Sequence, residues 1–268
     1  MDAGMTDAKP AAPALDALRR ELDEIDDALM ALLSRRVAVT QDVKSIKLVT
    51  SKALVSPLRP AREAQIHRRI LHLAKTQGVD PALALRLWRN ILTQSSMSQA
   101  PITLHMTKKL SQSMGQRLRL RDHFANMPVE DWKDEAQALT QVNVNPGDIC
   151  VVETNSSWVE AFMGGKAGQA YVIGTLPTLR LHDIPELLLF GTSAFEPSGS
   201  DETLLITQGN LPRDFPVQAL WHVKVGAFRL TSLAGSFAEH ESPLVGLSRS
   251  NISLGLKVAG RYPSAIEG

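Results

Sequence analysis

The chain has 268 residues, 44% of them hydrophobic and 21% charged, with 29 Lys and Arg against 28 Asp and Glu. That length favours two domains, and that balance excludes a net electrostatic attraction to nucleic acid or an anionic membrane. A single cysteine, Cys150, excludes an internal disulfide framework and fits a reducing compartment. The opening MDAGMTDAKPAAPA has no basic flank followed by an apolar core, so it does not read as a secretory signal. No apolar run is long enough to cross a bilayer, and a cytoplasmic location is expected.

Residues 1–13, rich in Ala and Pro, are expected to be a disordered tail. Glycine then divides the chain: of seventeen, only Gly4 and Gly78 precede residue 101. Residues 14–100 are therefore predicted to be long helices, and residues 101–268 a domain with many turns. The first helix is predicted from about Ala14 to about Thr50. Leu15, Leu18, Leu22, Ile25, Leu29 and Leu32, then Val39, Val43 and Ile46, recur at steps of three and four, the seam spacing of a coiled coil. SKALVSPLRP, with two prolines, is a connection. A second helix opens near Pro60, runs to Lys75 and closes at Gly78. Asp80-Pro81, a capping residue before proline at the first helical position, starts a third that reaches about Gln99. A seam on the order of 50 Å long cannot be buried within three helices of one chain, so dimerisation through the long helix is expected.

The remainder reads as α/β. VEDWKDEAQALT, residues 129–140, is predicted as an amphipathic helix. DICVVET, QAYVIGT, PELLLFG and ETLLIT are predicted as short apolar strands bounded by Gly, Pro, Asn and Asp. GGKAGQ, residues 164–169, lacks phosphate-loop spacing and reads as a turn, the seven histidines show no paired ligand spacing, and Cys150 reads as a packed core thiol. No metal and no cofactor is expected.

Polar residues stand where the helical seams call for apolar ones. Arg36 falls on the beat between Leu32 and Val39, and Lys47 lies beside the seam residue Ile46. Glu63 shares the face of Ile66, Ile70 and Leu73, and Ser95 and Gln99 extend that of Ala84, Trp88 and Ile91. Each alone has a structural explanation, such as a register-setting polar residue or an ion pair. Burying the set leaves excess positive charge in a medium of low dielectric, which calls for a small carboxylate ligand. Arg36 and Lys47, eleven residues apart, lie ~16 Å apart along the axis and ~20° from a common face, so both side chains can lean toward one ligand. Arg19 lies ~25 Å before Arg36 on the same helix and can contribute only to a partner's pocket.

LDALRRELDEIDDALMALLSRR, the lysine of VKSIK, the RE pair of RPAREAQI and the SSMSQ spacing at the end of the third helix together resemble the all-helical (type II) chorismate mutases over residues 14–100. The resemblance implies a three-helix domain in an intertwined homodimer that converts chorismate to prephenate. Carried over by position, Arg36 grips a substrate carboxylate, and Arg19 reaches across from the other subunit to do the same. Lys47 and Gln99 hydrogen-bond the ether oxygen, Glu63 binds the ring hydroxyl and Ser95 helps hold a carboxylate. Many members carry an aspartate shortly before the RE pair, where this chain has Arg59 or Pro60. Residues 101–268 more weakly resemble a prephenate dehydratase domain through VVETNSSW, SGSDETLLI and VAGRYPSAI, but the Thr-Arg-Phe motif of that chemistry is absent. An accessory or regulatory domain without dehydratase activity is the expectation. Two alternatives stand beside the mutase: an isochorismate-pyruvate lyase on the same scaffold, and a non-catalytic helical dimerisation module joined to a small-molecule sensor.

Overall fold

A computed structural model of the chain describes residues 12–50, 56–145 and 147–267. Most of the predicted tail, residues 1–11, and the first half of the SKALVSPLRP connection, residues 51–55, lie outside the described residues. The chain divides into two compact units, Met1–Lys52 and Ala53–Gly268.

The first unit is one helix, α1 (Ala12–Thr50), about 58 Å long at 1.5 Å per residue. Nothing in its sequence breaks it, since it holds neither glycine nor an internal proline beyond Pro13. Its seam residues are exposed in the single chain, from 42% at Val43 to 63% at Leu32.

The second unit begins with a helical hairpin. In α2 (Pro60–Gln77) proline occupies the first position, where its missing N–H costs nothing, and Gly78 ends the helix in the left-handed region at φ 71°. In α3 (Pro81–Gln99) the Asp80 carboxylate accepts from the Ala82 N–H at 3.0 Å. Ile70, Ala74 and Ala84, with Ile66, Leu73 and Trp88 against them, zip the two helices together along the faces read from the spacing.

The chain continues through β1 (Leu104–Thr107), α4 (Lys108–Gln112), α5 (Met114–Phe124), β2 (Val129–Trp132), α6 (Glu135–Gln141), β3 (Ile149–Glu153), α7 (Trp158–Met163), β4 (Tyr171–Leu176), β5 (Leu187–Gly191), β6 (Asp201–Thr207), β7 (Ala219–Val225), β8 (Phe228–Ala234), α8 (Leu244–Ser250) and β9 (Lys257–Pro263). The nine strands form one mixed sheet in the order β2-β1-β3-β5-β4-β9-β6-β8-β7. β1 pairs in parallel with β2 and β3, β5 lies antiparallel between β3 and β4, and β6 to β9 form an antiparallel half. The halves meet where β4 and β9 pair in parallel at Val172 and Gly260. A Cβ on Gly260 would fall 2.6 Å from the Val172 nitrogen, so this junction admits no side chain.

The predicted strands form because both sheet faces are covered, which makes each an unbroken apolar run. Cys150, Val152, Leu188 and Phe190 point to one face, where Trp158, Ala138 and Leu139 cover them. Ile149, Val151, Leu187 and Leu189 point to the other, beneath Leu120 and Phe124 of α5. Cys150 is fully buried, and that burial, with Glu135 nearby, pushes its thiol far above the ordinary range. Residues 164–169 form turns between α7 and β4.

One expectation changes. Residues 129–140 are not one helix. Val129–Trp132 pairs with β1 from Leu104↔Val129 to Thr107↔Trp132, and the helix starts only after Asp134, whose carboxylate accepts from the Gln137 N–H at 2.9 Å. Pairing at long range overrides local periodicity there, and the indole N–H of Trp132 donates to His105 on β1 at 3.0 Å. By packing, α2 and α3 share a compact unit with the sheet. The Ser56 and Ser193 hydroxyls meet at 2.9 Å and Arg59 grips Glu196 at 2.8 Å. The Arg68 guanidinium donates to the carbonyls of Ser198 and Ser200, both at 2.9 Å.

Candidate active site

The site residues read from the sequence fall in both units. On α1, Arg19 is exposed and pairs with Asp16 one turn earlier at 3.2 Å. Arg36 is half-buried, its carbonyl accepts from the Thr40 hydroxyl at 3.0 Å, and partial burial draws its guanidinium below the ordinary value. Lys47 lies on α1 three residues before its end, its side chain outside the described portion.

On α3, Ser95 and Gln99 lie one turn apart and half-buried. The Ser95 hydroxyl donates to the Ile91 carbonyl at 2.7 Å, and the Gln99 amide donates to the Ser95 carbonyl at 3.1 Å. The structure brings these two together. It does not bring them beside Glu63 in one cavity: the α3 residues that share a cavity with Glu63 include Thr93, Ser96 and Arg89.

Glu63 lies where α2 faces α3, α5 and the sheet, at the meeting of two connected hollows. The larger, about 90 Å³, has walls of Ile149, Ile173 and Leu189, with Thr178 and Ser264 at one side. The smaller, about 20 Å³, is lined by Arg89, Thr93, Ser96 and Met127. Leu58, Glu63, His67, His123 and Phe124 border both. Burial pushes the Glu63 carboxyl up to about 7, because the charged form loses its water without gaining a compensating cation. Burial and then the Arg89 charge lower His67 to about 4, and the same causes, with His67 added, hold His123 well below its ordinary value. Near neutrality the cluster thus carries uncharged imidazoles and a carboxyl on the edge of ionisation. His67 lies four residues after Glu63, one turn along the same face, a spacing visible in the sequence but not singled out there. His123 had no such signal, since α5 lacks a clear apolar stripe.

A second polar network pins the sheet edge. His105 is buried at 4% exposure and its Nε2 lies 3.0 Å from the Asp148 carboxylate, which also accepts from the Thr103 N–H and the Asn145 amide. Since Trp132 donates to His105 Nδ1, the proton sits on Nε2 and points at Asp148. Both ring nitrogens are committed, so this pair positions β1, β2 and the turn before β3.

The described chain thus consists of the long helix α1, the α2–α3 hairpin and a mixed α/β sheet. Residues 18–100 match the family model of chorismate mutase type II. Three relatives match about a third of the chain each. The bifunctional chorismate mutase/prephenate dehydratase of Pseudomonas aeruginosa is 33% identical over 90 residues, 33% of this chain and 24% of that protein. The chorismate mutase of Methanocaldococcus jannaschii is 29% identical over 86 residues, 32% of this chain and 83% of the relative. The 4-amino-4-deoxychorismate mutase of Streptomyces pristinaespiralis is 32% identical over 81 residues, 30% of this chain and 60% of the relative. The match thus spans about a quarter of the first of these proteins. Among solved structures, the prephenate dehydratase of Streptococcus mutans aligns over 62% of this chain and all of its own, at 11% identity and a TM-score of 0.37. A structure titled as GqqA, a novel type of quorum quenching acylases, aligns at 11% identity and 0.38.

Proposed function

We propose that the chain is a chorismate mutase, converting chorismate to prephenate, with residues 101–268 as an accessory or regulatory domain. The observation that carries this reading is the family match over residues 18–100. The reaction is a unimolecular pericyclic rearrangement, in which the ether C–O bond breaks as a C–C bond forms. It requires no nucleophile, metal or proton relay. The enzyme has to hold the compact diaxial conformer and favour the charge that builds on the ether oxygen. Arg36, and Arg19 of the partner subunit, take the two carboxylates, with Ser95 assisting. Lys47 and Gln99 donate to the ether oxygen, and Glu63 meets the ring hydroxyl. The exposed apolar seam of α1 supports a homodimer, since leaving nine large side chains in water forfeits about 1.5–3 kcal/mol for each one that burial would gain.

None of the described helices is long and apolar enough to cross a membrane, and we place the protein in the cytoplasm. Purified full-length protein incubated with chorismate is expected to yield prephenate, detected directly as product. Pyruvate release without prephenate, or no turnover by a folded dimer, refutes the assignment. The Streptomyces relative, named for a substrate with nitrogen at position 4, favours a second reading in which the Glu63 end of the site accepts an amino group. Parallel assays with chorismate and its 4-amino-4-deoxy analogue separate the two.

A further inference from the structure

The connected hollows between the α2–α3 hairpin, α5 and the sheet contain polar atoms that the protein itself leaves unanswered. His67 is 97% buried by its 3% exposure, yet its Nε2 has no hydrogen-bond partner among the described residues. The Arg89 side chain is only 10% exposed, and its Nε–H likewise lacks an acceptor. Each such group costs about 1–3 kcal/mol when left unsatisfied, so two at one cavity indicate a missing occupant. Its charge follows from the neighbours. Asp122 is shared between Arg86, at 2.8 Å, and Arg89, at 3.3 Å, so two guanidinium groups answer to one carboxylate and a positive charge is left over beside the smaller hollow. Its size follows from the space. About 90 Å³ with apolar walls is smaller than the roughly 150 Å³ cavity that accepts the six carbons of benzene, and suits a body of about three or four non-hydrogen atoms.

We propose that this cavity is a binding site for a small aliphatic monocarboxylate. The carboxylate enters the smaller hollow and accepts hydrogen bonds from Arg89 Nε–H and from His67 as its Nε2–H tautomer. The alkyl body lies in the larger hollow against Ile149, Ile173 and Leu189. Glu63, protonated, borders the ligand as a further donor. The occupant bridges the helical hairpin and the α/β sheet, and its binding does not depend on mutase turnover.

The titratable groups lining the hollows with Glu63 are His67 on its own helix, Arg89 on α3, paired with Asp122 at 3.3 Å, and His123 on α5, while the sheet side offers the uncharged hydroxyls of Thr178 and Ser264. Above pH 7 the ionised Glu63 repels the incoming carboxylate, so binding weakens as pH rises.

The test is calorimetric titration of the full-length protein with propionate, and with propionamide as a neutral mimic of equal size. Saturable propionate binding is expected, at least tenfold tighter than propionamide at pH 6 and tenfold weaker at pH 8.5 than at pH 6. Arg89→Gln and His67→Phe, each checked for native helicity and cooperative unfolding, are expected to weaken propionate tenfold or more. Equal binding of acid and amide overturns the proposal. So does propionate binding that survives both folded variants, or that is lost in Arg36→Ala instead, which would locate the anion on α1. If both variants misfold, transfer of saturation from propionate protons to the Ile173 and Leu189 methyls of the unmodified protein decides: no transfer refutes the site.

Discussion

Glu63 and His67, one helical turn apart, are displaced in opposite directions by the same loss of water, and their titrations oppose each other. Between pH 4.5 and 6.5 native Glu63 holds a proton that its unfolded counterpart has lost, so its contribution to stability falls as pH rises toward 7. Over that window His67 is neutral when folded and protonated when unfolded, so its contribution is lost as pH drops from 6.5 toward 4. Relative to the unmodified protein, Glu63→Gln is expected to add about 1.4 kcal/mol per pH unit to the slope of stability against pH, and His67→Gln to subtract about the same. Urea unfolding at half-unit pH steps measures both. Equal slopes in all three proteins would mean that neither group is desolvated. At the same scale, on the proposed mutase reading, Lys47→Ala removes a donor to the developing ether charge. It is expected to lower kcat by at least about a hundredfold while leaving unfolding midpoint and assembly unchanged. A parallel fall in stability would assign Lys47 a structural role instead.

The elements differ in how far their own sequence explains them. α1 needs no partner to be helical, but its seam needs one to be dry. Leu29→Asp at the middle of that seam is expected to shift the protein to monomers in sedimentation velocity, with a loss of about 1.5–3 kcal/mol per subunit for the forfeited burial. Unmodified protein that sediments as a monomer at every concentration would refute the dimer. In the sheet the vulnerable element is the β4–β9 pairing, because the two halves join there at Val172 and Gly260. Gly260→Ala places a methyl group against the Val172 backbone, which cannot move without breaking that pairing. A loss of 2 kcal/mol or more is expected in urea unfolding. Periodicity revealed the helices and the four apolar strands because those segments bury the faces their own pattern marks. It misread 129–140 because β2 is held by β1, nearly 25 residues away, and its own apolar alternation is too short to announce a strand.

For the whole molecule, the family boundary and the packing boundary do not coincide. The matched region ends at residue 100, yet α2 and α3 share a unit with the sheet: Leu58, just before α2, joins Leu104, Ile149 and Leu189 in one apolar cluster, Met97 of α3 packs against that cluster, and Arg68 of α2 donates to the Ser198 carbonyl. A fragment ending at residue 100 therefore exposes the buried sides of both helices. It is expected to show lower helicity, a lower Tm and reduced chorismate turnover beside the full chain, by circular dichroism and product assay. Equal stability and turnover would show the helical region to be self-sufficient. The sequence by itself determined the three helices, the apolar strands and the set of seam-breaking polar residues, because each rests on local spacing, capping or the chemistry of a side chain. Only the tertiary structure decided that α2 and α3 share a unit with the sheet, and that Glu63 borders a hollow with His67, Arg89 and His123. Those outcomes depend on contacts between residues dozens of positions apart, whose burial and electrostatic fields no local pattern encodes.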